Sequence, residues 1–473
     1  MMIMKARQIL WGVVAAGVLS SCSNYLDIKP YDKVIPETAE DFSALIHYRL
    51  NQIDEGSDDD LIPSFSTTVS YDSGYGDDFE VCLTGTGGTR LPSYVGSSIS
   101  SNGFNNTYSG LYEIIRDCNI VIHEMKENGT AEADNLLATA YAMRGVAYYQ
   151  LLRLFCDVPQ PGSYDTQLGV PVVTMFDMEE KPVRSSMSRT IEAIESDLKR
   201  SIDYGMKEDI YRFTEDVARG YLARLYFWSR QWDKCLEAAQ DMLVKYPLLD
   251  IEPYKAMMSS GSGALTGNQL IKAYRSISVS SGNSMSGSIN SLSYRPVSLR
   301  FLSHFSDSEK ASDVRYAMYV NTKRQACKGI FCGMRAAEFA LMEAEALYHL
   351  GRREDALASV NSLRRHRIAD YSDLEMDNLP AVNPMEIISN DVEGDRLTPL
   401  MALILSERRK EFFLEYDRWF ELKRNGTPQF SAMYNGVKYT TLSYMYTFPI
   451  PIRDIDLNPG LVQNAGYDEI INR

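Results

Sequence analysis

Beyond its first two dozen residues this chain has no long apolar run. Nothing later in it can cross a bilayer as a helix, which takes about 20 apolar residues. Positive charge is also in short supply. Against 63 Asp and Glu stand 48 Lys and Arg in 473 residues, a formal net charge of −15. Such a surface repels phosphate backbones and argues against nucleic acid as a partner. Histidine is scarce: the five are scattered, and no Ser/His/Asp or Cys/His grouping pairs a nucleophile with a base. His123 and Glu124 begin like a zinc-protease helix, but Glu127 stands where the second histidine is required. "GTGGT" (85–89) lacks the Lys-Ser/Thr of a phosphate loop. Ser196 and Lys199 match a serine-acylase tetrad by chance, inside an amphipathic helix pattern. "DEGSDDD" (54–60) offers oxygens to calcium, but without EF-hand spacing or a closing Glu it reads as a solvated loop. No cofactor and no metal are expected.

The N-terminus is more informative. Lys5 and Arg7 form a basic head, residues 9–19 are apolar or glycine, and Leu19, Ser20 and Ser21 lead into Cys22. That order describes a secretory signal peptide over 1–21. Eleven apolar positions are too few to span a bilayer. Leu-Ser-Ser-Cys also resembles the bacterial lipobox, in which the cysteine becomes the first residue of the mature chain and is acylated. The alternative is an ordinary signal peptide followed by an incidental cysteine. Several acyl chains anchor stably, because each buried methylene adds roughly 0.8 kcal/mol. Cleavage takes Lys5 and Arg7 from the 48 bases and removes no acid, leaving 46 against 63 and a net of −17.

Six cysteines follow Cys22. Cys118, Cys156 and Cys235 lie in apolar helical patterns and read as small core residues. Cys82 is the first of the six, and Cys327 and Cys332 could bridge or stay free; in so long a chain they make no disulfide framework. About 450 residues suffice for a large core.

Two stretches share one design. In "YLARLYFWSRQWDKCLEAAQDML" (221–243) and "LMEAEALYHLGRREDALASVNSL" (341–363), small and large apolar residues alternate on a first helix, Ala223 and Leu225 or Ala344 and Leu347. A polar turn follows, and a second helix starts with Asp233 or Glu354 near its positive end and turns Leu236 or Leu357 inward. Tetratricopeptide repeats have this form, here interrupted by about 120 residues. Residues 136–155 read as another first helix, with Ala138, Ala142, Val146 and Tyr149 at helical spacing. Residues 188–205 fit a partner helix, Ser188 being the candidate cap and Gly205 the stop. The expected fold is all-α, a tetratricopeptide-like scaffold with a lobe of irregular loops over 56–110, 251–300 and 368–395. Loops so long in a compact domain are functional or disordered, and the aromatics in the first two argue against pure disorder.

Six segments in order resemble the SusD/RagB family of outer-membrane lipoproteins of Bacteroidetes. Leu26, Asp27 and Pro30 fit the segment after the lipidated cysteine. "AMRGVAYYQLLRLFCDVPQP" (142–161) is similar to the family's long helix and turn at Arg144, Tyr149, Leu154, Phe155, Asp157, Val158 and Pro159, with Cys156 in place of glycine. "GVPVV" (169–173) follows, and Ala337, Glu338, Met342, Glu345, Ala346 and Leu347 fit the next motif. In "ERRKEFFLEYDRWFELKRNG" (407–426), Glu407, Arg408, Arg409, Glu411, Arg418, Trp419 and Leu422 match, while Tyr416 and Glu421 depart from the family's Gly and Asp. "FPIPIRDIDLNPGLVQNAGY" (448–467) resembles the family's ending. The resemblance implies a signal peptide at 1–21, a lipid-anchored tether at 22–30, an N-terminal part at 31–210, a helical pair at 211–250 and a C-terminal part at 251–473 with a second pair at 335–367. It implies a surface-exposed protein in the outer membrane that captures glycans or peptides. A SusC-like, TonB-dependent transporter would receive them, and no catalysis is implied.

Glu407 and Glu411 share a helix with Arg408, Arg409, Phe412 and Phe413, so pairing and partial burial explain them better than a catalytic carboxylate pair. A glycoside hydrolase using two carboxylates is the rival reading. Asn458, Pro459, Gln463 and Asn464 read as turn and cap residues. Ligand contacts are expected from the irregular loops, because tyrosine rings stack on the C–H faces of sugars while Asp and Arg bond the hydroxyls. Among the 30 tyrosines, the candidates with their polar neighbours are Tyr71, Asp72, Tyr75, Asp77, Asp78, Arg90, Tyr94, Tyr274, Arg275, Tyr294 and Arg295. For any one tyrosine, packing under a loop is an equal expectation.

Overall fold

The computed structural model describes residues 38–55, 60–80, 94–125, 129–175, 180–260, 263–273, 288, 292–293, 295–434 and 436–467. Cys22, the signal peptide, the tether, Cys82 and the "GTGGT" stretch lie outside them. No helix among the described residues is long and apolar enough to cross a membrane.

Among the described residues, ten of the helices carry the architecture: α1 (Ala39–Glu55), α2 (Asn105–Glu124), α3 (Ala131–Phe155), α4 (Met187–Asp203), α5 (Glu215–Trp228), α6 (Trp232–Lys245), α7 (Ala337–His349), α8 (Arg353–Arg365), α9 (Pro399–Glu411) and α10 (Arg418–Arg424). Two antiparallel pairs of short strands complete it, β1 (Gln269–Lys272) with β2 (Gly333–Arg335) and β3 (Phe430–Tyr434) with β4 (Val437–Thr441). Helices α2 to α8 pack each against the next in chain order. The two tetratricopeptide-like pairs, α5–α6 and α7–α8, are therefore contiguous in space, since α6 packs on α7 although residues 246–336 separate them in sequence. One hydrophobic core draws on residues from Phe42 to Tyr467.

Local sequence accounts for the boundaries. The Thr130, Thr214 and Thr398 side chains accept the backbone N–H three residues on, at the starts of α3, α5 and α9. The cap of α4 is Ser186, not Ser188: the Ser186 hydroxyl accepts from Arg189 N, and Ser188 Oγ turns away to Asp165 at 2.6 Å. Gly205 ends the segment in the left-handed conformation. Cys118, Cys156 and Cys235 are buried, and Cys327 and Cys332 are both free.

The expected loop over 56–110 is largely helical where described, with short helices at Phe65–Ser70 and Val95–Ser100 before α2. Residues 368–395 have only a single 3-10 turn, Met376–Asn378. At the C-terminus Gln463 exchanges two 2.8 Å hydrogen bonds with the Ile450 backbone, and Asn464 Nδ2 donates to Phe155 O and Phe448 O. Those residues clamp the tail onto the end of α3.

Candidate functional site

The first tyrosine-bearing segment folds inward. Phe65–Ser70 continues into one π-helical turn, Tyr71–Tyr75. The Tyr71 ring meets Tyr416 at 4.6 Å and Tyr75 at 4.9 Å, and Tyr75 packs edge-on to Trp419 at 5.7 Å. Asp72 is fully buried, and its Oδ2 accepts the Tyr416 N–H at 3.1 Å. Burial, with Asp78 nearby, holds the Asp72 carboxyl well above the usual range. The expectation of ligand contact from Tyr71, Asp72 and Tyr75 is thereby corrected. They pack and cap a turn in which Tyr416 adopts φ +62°, the position where the family carries glycine.

Tyr94 is half-buried. Its hydroxyl donates to Thr440 O, and its ring lies 5.5 Å from that of Tyr439 on β4. Arg90, Tyr274, Arg275 and Tyr294 lie outside the described residues.

The two segments nevertheless share a root. Phe79 and Val297 form an antiparallel bridge. Glu80 N donates to Pro296 O, Ser298 N to Asp78 O, and Ser298 Oγ to Asp77 O, at 2.7–2.8 Å. Arg295 Nη1 reaches Ser73 O at 2.9 Å, and Val297 N reaches Arg324 O at 2.7 Å. Above this stem, the Glu80 carboxylate accepts the Leu299 N–H at 3.0 Å and faces Arg324 Nη1 at 3.5 Å. Leu299 is 54% exposed. Glu80, Leu299 and Arg324 were missed in the sequence reading. The Asn-Thr-Lys-Arg turn at 321–324 was the available signal.

An ion network fixes the stem from below. Asp77 and Asp78 are held by Arg418 and Arg409, which share Glu386. Burial pushes Asp78 up to about 6 even beside Arg409, whereas Arg409 and Arg418 together outweigh burial at Asp77 and hold it below the usual range. His304 is pushed down to about 4 by burial and is neutral. Asp77 and Asp78 are thus structural.

The same holds for the carboxylates of α9. Glu411 accepts from Arg315, Arg335 and Arg367, and Glu407 from Arg315, Arg364 and Lys410. Both are fully buried. Burial opposes their charge, but the surrounding cations win and hold both below the usual carboxylate range. They are paired as the sequence implied, and burial is complete. A cavity of about 60 Å³ lies between α3, α5, α7 and α10, lined by Arg153, Trp228, Glu338, Arg408, Phe420 and Arg424 among others. Ligand pockets start at about 300 Å³, so this one suits a few waters. Among the described residues no group of His, Cys, Asp and Glu is placed to hold a metal ion.

Comparison with known proteins agrees with the fold. A family model described as "SusD family" matches residues 308–467, and one described as "Starch-binding associating with outer membrane" matches 24–227. A SusD superfamily protein from Bacteroides thetaiotaomicron VPI-5482 superposes with a TM-score of 0.68 at 21% identity, covering 90% of this chain and 99% of that one. A putative sugar binding protein from Bacteroides vulgatus ATCC 8482 gives 0.63 at 21% identity, over 92% and 100% of the two chains. The SusD-like protein P38 of Formosa agariphila is 33% identical over 136 residues, which is 28% of this chain and 24% of that protein. The chain belongs to the SusD/RagB family.

Proposed function

We propose that this protein binds oligosaccharides at the outer membrane and delivers them to a SusC-like, TonB-dependent transporter without making or breaking bonds. One observation carries the reading. Two long segments rich in Tyr, Ser and Gly are rooted at a single stem, fixed underneath by buried ion pairs and topped by Leu299, Glu80 and Arg324. A rigid base beneath segments rich in aromatic and polar side chains is a binding architecture. The family description "Starch-binding associating with outer membrane" and the sugar-binding neighbour favour glycan over peptide. On chemistry, Tyr94 together with Arg90, Tyr274, Arg275 and Tyr294 supplies stacking faces and hydroxyl partners. The α9 carboxylates, buried and saturated by cations, do not support the hydrolase reading.

Calorimetry of the purified full-length chain against an oligosaccharide panel tests this. Saturable binding with unchanged products is expected, and Leu299→Asp is expected to weaken it. New reducing ends would favour the hydrolase, and no binding to any glycan would end the proposal. Anchoring through Cys22 is tested apart: Cys22→Ala should fold and leave the membrane fraction.

A further inference from the structure

We infer that the oligosaccharide taken at this stem carries oxyanions, either uronate carboxylates or sulfate esters. The inference rests on the function proposed above and concerns only its substrate class. Acidic residues are spread through most of this chain, yet five stretches of 24 residues or more have none: 1–26, 81–112, 253–306, 314–337 and 422–453. The stem lies beside three of them, 81–112, 253–306 and 314–337. Residues 253–306 carry Lys255, Lys272, Arg275, Arg295 and Arg300, and residues 314–337 carry Arg315, Lys323, Arg324, Lys328 and Arg335. In a chain with a net charge of −15 these stretches are neutral to basic.

The fold brings their edges together. Val297, from 253–306, pairs with Phe79 in an antiparallel bridge and donates its N–H to Arg324 O, from 314–337. Gln325 Nε2 reaches Ser293 O at 3.2 Å. Not every base is available: Arg315, Lys328 and Arg335 are consumed by the buried network, and Arg295 clasps Ser73. Lys323 is exposed, Arg300 and Arg324 are partly so, and neither Lys323 nor Arg300 has a carboxylate within ion-pair distance among the described residues. The Arg324 contact with Glu80 is loose, 3.5 Å, with side chains 37% and 42% exposed; Arg324 Nη1, on the buried side of the guanidinium, makes no hydrogen bond, so the exposed edge of the fork faces outward.

Arg324 also sits in a tight turn at φ +59°. The turn closes through Asn321, whose N–H bonds to Gln325 O and whose carbonyl accepts from Arg324 N. Asparagine or glycine would occupy that conformation with less strain. An arginine held there presents a planar fork of donors, which matches a carboxylate or sulfate edge. Among the described residues Glu80 is the one acid within ion-pair distance of Arg324, and Leu299, bonded to the same carboxylate, offers a C–H face, so the surface complements an acidic sugar. A neutral glucan would leave the cations unanswered.

The experiment uses the full-length chain in detergent with matched probes: uronic-acid oligosaccharides and their carboxyl-reduced forms, and sulfated oligosaccharides and their desulfated forms. An acidic probe is expected to bind at least about tenfold more tightly than its neutral match, and to lose affinity as salt rises from 50 to 500 mM. The class that binds identifies the oxyanion. Arg324→Asn keeps the left-handed turn and removes the charge, and Lys323→Gln removes its neighbour. Both variants should unfold at the wild-type temperature and bind the acidic probe at least about tenfold more weakly. Equal affinity for acidic and neutral partners, or binding indifferent to salt and to both variants, would overturn the inference and leave glycan capture standing. Absence of binding to every probe would overturn both.

Discussion

The two tetratricopeptide-like pairs follow one template and are finished differently. In α5–α6 the buried side chains are apolar apart from Ser229 and Arg230 at the turn, and include Val217, Leu222, Leu225, Trp228, Cys235, Leu236 and Met242. In α7–α8 the same faces bury Glu338, Glu345, Asn361 and Arg364. Glu345 accepts from Arg424 of α10 at 2.7 Å, Glu338 from Arg224 of α5 at 2.7–2.8 Å, and Arg364 donates to Glu407 of α9. A repeat needs only its stacking face to be apolar. The second pair must also receive α9 and α10, which bring the Glu407–Glu411 cluster, and it meets them with charges. Satisfied buried charges fix how helices meet, although they add less stability than their number suggests.

Breaking the ionic joint at its centre should cost most. Glu411→Ala strands Arg315, Arg335 and Arg367 without their shared carboxylate, and removing one partner of a buried pair costs about 3–5 kcal/mol. Urea unfolding should show it, and a midpoint close to wild type would mean that the network is hydrated and of little consequence. The apolar faces come next. Leu236→Ala and Leu357→Ala remove equivalent buried side chains, 8% and 4% exposed. Each should cost about 2–5 kcal/mol, and the two should agree within about 1 kcal/mol if the template is shared as closely as their positions imply.

Both pairs were legible from sequence because alternation of small and large residues at helical spacing is a local signal. So was the pairing of Glu407 and Glu411, since an acidic-basic run beside Phe412 and Phe413 allows little else. The inward turn of Tyr71 and Tyr75 was not legible. Gly, Ser and Asp around them describe a loop, and the residues that bury them, Tyr416, Trp419 and Phe420, lie some 340 positions away. Ser186 and Ser188 are equally good caps in sequence. Only the neighbouring Asp165, which takes the Ser188 hydroxyl, decides between them. The stem escaped because Phe79 and Val297 belong to long segments without periodicity.

The ionic joint should also respond to pH. Glu421 forms an ion pair with Arg408 at 2.7 Å, but burial, reinforced by Glu345 of the second pair, raises its carboxyl to about 7. A raised carboxyl favours the folded state below its unfolded value, near 4.5, and that contribution is lost as pH climbs through 7. Glu421→Gln keeps the shape of the protonated acid. Between pH 5 and 7 the variant should gain on wild type by at most about 1.4 kcal/mol per pH unit. Parallel stability curves for the two proteins would show that Glu421 is ionised throughout, with Arg408 outweighing burial.

The finest contrast lies in the turns. Each first helix ends with a left-handed residue, Arg230 at φ +59° in the first pair and Gly351 at φ +79° in the second. Arg230 N bonds to Phe227 O and Gly351 N to Tyr348 O, so the two positions correspond. Arginine is tolerated in the first because its guanidinium reaches Val392 O, Gln160 Oε1 and Glu393 at 2.8–3.1 Å. At Gly351 an added Cβ would meet nothing within 4 Å, so Gly351→Ala measures the backbone cost alone, about 1–2 kcal/mol. Arg230→Gly removes similar strain and, with it, three polar contacts of about 1 kcal/mol each, so it should destabilise slightly. If Arg230→Gly instead raises the unfolding temperature, those contacts do not compensate the turn, and the first pair keeps its arginine for a reason outside stability.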